Sequence, residues 1–159
     1  TRTMMEAAGY RRYEISNYSR PGFECRHNLG YWTGVDYLGL GLGASSFVSG
    51  YRFKKEENLR AYLEQASSPD FPSCLYRDIH RLTDRERMEE FMFLGLRLTE
   101  GVSGAEFLRR FGQNMWNVYG PVIEDMEAKG LLKVEHPRVF LTERGMDLSN
   151  YVMSRFLLD

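Results

Sequence analysis

Tyr37-Leu38-Gly39-Leu40-Gly41-Leu42-Gly43-Ala44 is the stretch on which the fold turns. Gly39, Gly41 and Ala44 formally complete the dinucleotide fingerprint G-x-G-x-x-G/A. That fingerprint requires a helix directly behind it, whose N-terminus faces the pyrophosphate. Ser45-Ser46-Phe47-Val48-Ser49-Gly50 follows instead and is not helical in composition, so a Rossmann unit is rejected. Tyr37–Leu42 then reads as a buried strand ending in glycine and serine. Glycines at a strand end let a ligand approach the backbone or let a neighbouring strand pack tightly. Composition leaves both open.

Upstream, residues 1–8 have helical composition, with Gly9 as a C-terminal cap. Tyr10–Ser16 reads as a strand, Ser19-Arg20-Pro21-Gly22 as a turn, and His27–Trp32 as one helical turn or a loop. Helix, strand, loop and strand in this order resemble the end of an α/β sheet. Downstream, residues 56–66 predict a short amphipathic helix with Leu59, Tyr62 and Leu63 on one face. Ser67-Ser68-Pro69-Asp70-Phe71-Pro72 breaks it and suggests a linker.

Strong helix punctuation follows. Thr83-Asp84-Arg85-Glu86 and Ser103-Gly104-Ala105-Glu106 are capping boxes. The first opens a helix with Met88, Phe91, Met92 and Leu96 at helical spacing. The second opens one with Phe107, Leu108 and Phe111 inward, closed by Gly112. Pro121 either starts a helix running to Lys129 or kinks one that begins near Asn114. Leu131–Glu135 and Val139–Leu141 flank His136-Pro137-Arg138 in a hairpin pattern. Thr142 opens a last helix with Leu148, Tyr151, Val152 and Phe156 on its apolar face. Three helices, a hairpin and a closing helix make a winged-helix-like arrangement, so the expected class is α+β.

Composition bounds the function. Hydrophobic residues make up 43% and charged residues 27%, which supports a buried core rather than disorder. The longest apolar run, Phe91–Leu96, is far below the roughly 20 residues of a membrane-spanning helix. The chain starts Thr1-Arg2-Thr3 with no signal-peptide pattern and no Met. A cytoplasmic C-terminal part of a larger protein is therefore expected, with membrane contact only through a partner. Cys25 and Cys74 are expected as free thiols. Residues 1–60 hold nine Lys/Arg against six Asp/Glu. That mildly basic balance suits either a carboxylated ligand or a solvated surface. Nucleic-acid binding is not expected. A recognition helix should be basic, yet Val122–Lys129 carries Glu124, Asp125 and Glu127 against Lys129 alone.

Few residues could carry chemistry. His27, His80, His136, Cys25 and Cys74 show no zinc-like spacing, and the chain holds no three-cysteine cluster for an iron–sulfur centre. Ser45 and Ser46 have no base at an interpretable position, and His80 and His136 read as packing or surface residues. What remains is His27-Asn28-Leu29-Gly30-Tyr31-Trp32. Imidazole can ligate haem iron, and aromatic rings pack against a macrocycle. On composition alone, Tyr31 and Trp32 plugging the end of a sheet is the simpler reading.

That hexapeptide, Tyr13-Glu14-Ile15-Ser16-Asn17-Tyr18 and Tyr37–Ala44 resemble the radical S-adenosylmethionine proteins related to oxygen-independent coproporphyrinogen III oxidase (HemN/HemW). Phe93-Leu94-Gly95-Leu96-Arg97-Leu98, Lys129-Gly130-Leu131-Leu132 and Leu141-Thr142-Glu143-Arg144-Gly145 resemble that family's helical C-terminal domain. The His-Asn-x-x-Tyr-Trp pattern is similar to the haem chaperone branch. The resemblance implies the C-terminal end of a partial, TIM-like α/β barrel in residues 1–66, a linker at 67–80 and the helical winged-helix-like domain at 81–159. It implies haem or porphyrin as ligand and a haem-receiving protein as partner. By it, His27 is the haem iron contact, supported by Asn28, Tyr31 and Trp32. Gly41, Gly43 and Phe47 line the barrel opening, near S-adenosylmethionine. The alternative it implies is a coproporphyrinogen III oxidase fragment, oxidatively decarboxylating in porphyrin biosynthesis. The family's C-x-x-x-C-x-x-C motif for the [4Fe-4S] cluster is not in this sequence, so the chain alone is expected to be inactive as an oxidoreductase.

Overall fold

A computed structural model describes residues 2–158, and helix and sheet are mixed throughout. The chain forms two compact units. One joins the residues through Gly34 to those from Asp84 onward, and the other is Val35–Thr83.

The first unit begins with α1 (Arg2–Ala7), after which Gly9 turns the chain at φ 81°. β1 (Arg11–Arg12) pairs antiparallel with β2 (Tyr18–Ser19). The strand expected over Tyr10–Ser16 is shorter because the chain bends after it. Glu14 Oε1 accepts from the Ser16 amide at 2.9 Å and from Asn17 Nδ2 at 2.5 Å. Local side-chain bonds of this kind compete with strand pairing. His27–Trp32 lies in a full helix, α2 (Arg26–Thr33), ended by Gly34 at φ 68°.

The second unit is built on an antiparallel sheet, β3 (Ser45–Val48), β4 (Tyr51–Lys55) and β5 (Tyr76–Arg81), in that order. Ser49 (φ 51°) and Gly50 (φ 79°) join the first two. Two left-handed residues in a two-residue loop match the twist of a hairpin. The buried strand expected over Tyr37–Leu42 is not formed. Only Tyr37 bridges, to Phe47, while Leu38, Leu40 and Leu42 are exposed. Gly41 at φ 94° and Gly43 at φ 65° turn the backbone out of extended geometry. Close packing is what Gly39 provides. Its amide donates to Ser46 Oγ at 3.0 Å, and a Cβ there would stand 2.2 Å from the Ser45 carbonyl oxygen. α3 (Leu59–Gln65) starts at Asn58, whose side chain accepts from the Ala61 amide at 3.1 Å. Leu59 and Leu63 on its expected apolar face are exposed. The stretch 67–80, expected as a linker, carries a 3-10 turn at Ser73–Leu75 with Leu75 buried, and then most of β5.

Beyond Asp84 come α4 (Asp84–Gly95), β6 (Val102–Ser103), α5 (Gly104–Phe111) and α6 (Met115–Ala128). β7 (Leu132–Glu135), β8 (Arg138–Leu141), α7 (Glu143–Asp147) and α8 (Ser149–Ser154) follow. The strands make a sheet of order β6-β8-β7. Polar caps take the free amides at the helix starts. Ser103 accepts from the Glu106 amide at 3.4 Å, and Thr142 accepts from the Gly145 amide at 3.0 Å. Asn114 accepts from the Trp116 amide at 2.9 Å, so α6 starts there and contains Pro121. The last helix is broken at Leu148 (φ −107°, ψ 26°), and Leu148 and Tyr151 are half exposed while Val152 and Phe156 are buried. Leu108, expected inward, is 52% exposed.

The core of this unit is the interior between α4, α5, α6 and the sheet. The Phe107 ring sits 5.4 Å from Phe91, 4.8 Å from Phe111 and 6.0 Å from Tyr119. Phe107 and Tyr119 are fully buried while Phe91 and Phe111 are half-buried, and full burial of a phenylalanine-sized side chain stabilises by roughly 1.5–3 kcal/mol. Gly95 lets α4 end against β6, since a Cβ there would meet Val102 Cγ1 at 2.4 Å. That close approach fixes where the chain goes next, to Arg97.

A candidate ligand helix

α2 gathers four of the expected site residues. His27 and Tyr31 are one turn apart and share a face, as do Asn28 and Trp32. His27 is exposed, and its ring meets the edge of Tyr31 at 4.7 Å. Asn28, Tyr31 and Trp32 are half-buried. The helix thus presents an imidazole outward, with an aromatic ring beside it.

Trp32 faces the other way, onto charge. The Arg97 guanidinium lies 4.2 Å from its ring centroid, and Arg97 Nη2 stands 3.5 Å from Glu14 Oε2. Glu14 is fully buried. The backbone brings these residues together: the Ile15 amide donates to Arg97 O at 3.0 Å, and the Thr99 amide donates to Tyr13 O at 3.1 Å. Glu14 Oε2, Arg97 Nε and Trp32 Nε1 are buried without hydrogen bonds. Thr33, the last residue of α2, accepts through its carbonyl from Arg110 Nη1 at 3.0 Å. Arg110 also pairs with Glu106 at 2.5 Å. Hydrogen bonds from Arg109 and Arg110 hold the Glu106 carboxyl below the usual carboxylate range.

Gly41, Gly43 and Phe47 are in the other compact unit. The Gly43 amide donates to Glu56 O at 2.9 Å, and the Phe47 ring lies between Tyr37 at 6.4 Å and the Arg52 guanidinium at 5.6 Å. His136 stacks on Trp116 at 4.9 Å. Cys25 and Cys74 are free thiols. Among the described residues no group of three His, Cys, Asp or Glu side chains could hold a metal ion. A cleft of about 530 Å³ lined by Arg2, Glu6, Tyr10, Arg12 and Glu143 contains none of the expected site residues.

Arg97, Glu14 and Arg110 were not among those expected residues. Glu14 and Arg97 lie inside the recognisable sequence runs, and a carboxylate amid the strand-like Tyr13-Glu14-Ile15 was the available signal. Their pairing across the chain was not readable from spacing.

Comparison with known proteins completes the picture. Residues 82–148 match the HemN C-terminal domain. The chain is 39% identical over 153 residues to heme chaperone HemW of Bacillus subtilis (strain 168), an alignment covering 96% of this chain and 40% of that protein. Along nearly its whole length the chain is thus similar to HemN/HemW proteins. It is also 36% identical to heme chaperone HemW of Lactococcus lactis subsp. lactis (strain IL1403), over 95% of this chain and 38% of the relative. The Escherichia coli (strain K12) heme chaperone HemW is 31% identical, with 98% and 40% covered. The chain therefore spans about 40% of the length of these HemW relatives. The solved structure of coproporphyrinogen III oxidase (HemN) from Escherichia coli, described as a radical SAM enzyme, superposes with a TM-score of 0.75. That match covers 98% of this chain and 38% of the other at 15% identity, and it shows a shared fold. No helix among the described residues is long and apolar enough to cross a membrane.

Proposed function

We propose that this chain is the haem-holding part of a haem chaperone, and that His27 is its axial ligand. The observation that carries this is the exposed His27 imidazole beside the Tyr31 ring on α2. Haem iron brings its own four pyrrole nitrogens and asks the protein for an axial donor, for which one exposed imidazole suffices. Tyr31 offers a ring edge to the macrocycle, and Asn28 offers an amide to a propionate or to the imidazole. Trp32 anchors the helix from behind. The HemW names of relatives at 31–39% identity support this reading over that of an oxidase.

The remaining assignments are proposals of the same standing. A haem-receiving protein takes the ligand in the cytoplasm, with membrane contact only through that partner and no part for nucleic acid. Helices α4, α5 and α6 with the β7–β8 hairpin form a winged-helix-like domain. A protein of the relatives' full length supplies the barrel, the [4Fe-4S] cluster and S-adenosylmethionine, with Gly41, Gly43 and Phe47 at the barrel rim. Two cysteines are too few for that cluster here.

The test is haem titration of the chain, wild type against His27→Ala, followed in the Soret region. Loss of the ligated spectrum in His27→Ala, and its recovery with free imidazole, are expected. An unchanged spectrum and affinity would remove His27 as ligand. Anaerobic formation of protoporphyrinogen by the full-length protein would favour the oxidase instead.

A further inference from the structure

α2 is eight residues long and buries none of them fully. Helices this short are marginal in water without tertiary support. Its start is weakly held, because Cys25 at the N-cap makes no side-chain bond to the first amides. The support is at the other end. Arg97 lies over Trp32 at 4.2 Å, inside the roughly 6 Å reach of a cation–π contact. The buried Glu14 carboxylate stands 3.5 Å behind that guanidinium. Arg110 donates to the Thr33 carbonyl at 3.0 Å, one of the last carbonyls that the helix cannot satisfy itself. Its positive charge there also meets the negative end of the helix dipole. Arg110 is itself fixed by Glu106 and by the Phe91 ring, 5.5 Å away.

We infer that Arg97 and Arg110 are positioning residues: they clamp the last turn of α2 and so set the direction in which His27 presents its ring. Both come from the region that matches the HemN C-terminal domain, which gives that domain a part in ligand handling. Stability alone does not account for the cluster: Glu14 Oε2 meets Arg97 only as an ion pair at 3.5 Å, and Glu14 Oε2, Arg97 Nε and Trp32 Nε1 are buried without hydrogen bonds, which is destabilising. The inference rests on the haem reading of α2, but its first test does not.

Hydrogen exchange of the α2 amides is measured in Arg97→Ala and Arg110→Ala. Exchange across α2 is expected to accelerate about tenfold in each, while α6 keeps its protection. Unchanged α2 exchange in both variants would overturn the clamp. Should Arg97→Ala lose α6 protection as well, Arg97→Lys replaces it. Lysine keeps the charge toward Glu14 but not the planar stack, so α2 alone should loosen, and unchanged α2 exchange in Arg97→Lys would likewise overturn the clamp. Haem titration then gives the second readout. Arg97→Ala is expected to weaken binding about tenfold and to mix spin states, and to change nothing further once His27 is already alanine. Equal effects of Arg97→Ala with and without His27 would show that Arg97 does not act through His27. A silent His27→Ala would sink the haem reading and leave the exchange result to decide the clamp.

Discussion

Gly95→Ala, alone and with Val102→Ala, tests the packing that delivers Arg97 to its place. A Cβ at Gly95 would stand 2.4 Å from Val102 Cγ1, well inside contact distance, and Val102 is only 3% exposed. Overpacking of this kind costs about 1–3 kcal/mol, and the better helix propensity of alanine returns up to ~1 kcal/mol. Gly95→Ala should therefore destabilise by about 1–2 kcal/mol. Val102→Ala removes two buried methyl groups at ~0.8 kcal/mol each and leaves a small void, so its cost is about 2 kcal/mol. The new Cβ fills part of that void. The double variant should lose only about 1–2 kcal/mol, a favourable coupling of roughly 2 kcal/mol. Both tryptophans, Trp32 and Trp116, lie in the unit being perturbed, so urea unfolding followed by tryptophan fluorescence reports on it selectively. Additivity to within about 0.5 kcal/mol would refute the contact.

Three further substitutions test other parts of the structure. Tyr119 is fully buried and its hydroxyl has no hydrogen-bond partner. Tyr119→Phe should leave stability unchanged or raise it by up to ~1 kcal/mol in the same urea assay. Burial raises the Tyr119 pKa above its ordinary 10.0; the raised value means stability is full below pH 10.0 and falls as the unfolded chain ionises above it, and Tyr119→Phe should flatten that alkaline limb. Glu106 is shifted the other way, so its contribution is full above its ordinary pKa of 4.5 and lost as pH falls below it. Glu106→Gln should flatten the acid limb of a stability–pH profile. Thr142→Ala removes the cap on the Gly145 amide and the 2.8 Å bond to the Gly130 carbonyl, and should cost about 1 kcal/mol by thermal unfolding.

What could be read from the sequence was local. Ser103 and Thr142 announced their helices because a cap needs only its own next three residues. Gly34, Gly112 and Gly130 end theirs in the left-handed conformation that glycine allows. Spacing does not choose between Asn114 and Pro121 as the start of α6, because proline is tolerated both at a helix start and, at a cost, inside one. Tyr37–Leu42 departs from the expected strand for a plain reason. Leucine alternating with glycine mimics a strand, but Gly41 and Gly43 take positive φ and leave Leu40 80% exposed. The strands that do form, β3 and β4, carry little local signal, because Ser49-Gly50 marks a hairpin more weakly than Asn-Gly. β5 was hidden behind the prolines at 69 and 72, which read as a linker. His27, Asn28, Tyr31 and Trp32 were legible as a group because a helix keeps neighbours together. The Glu14–Arg97 pair and the Arg110–Thr33 bond were not, because tertiary folding alone brings those positions into contact.

The most direct measurement is electron paramagnetic resonance of the ferrous nitrosyl complex of the haem-loaded chain. Hyperfine splitting from an axial imidazole nitrogen is expected in the wild type and should vanish in His27→Ala. The same splitting in both proteins, or its absence from both, would contradict His27 as the haem ligand.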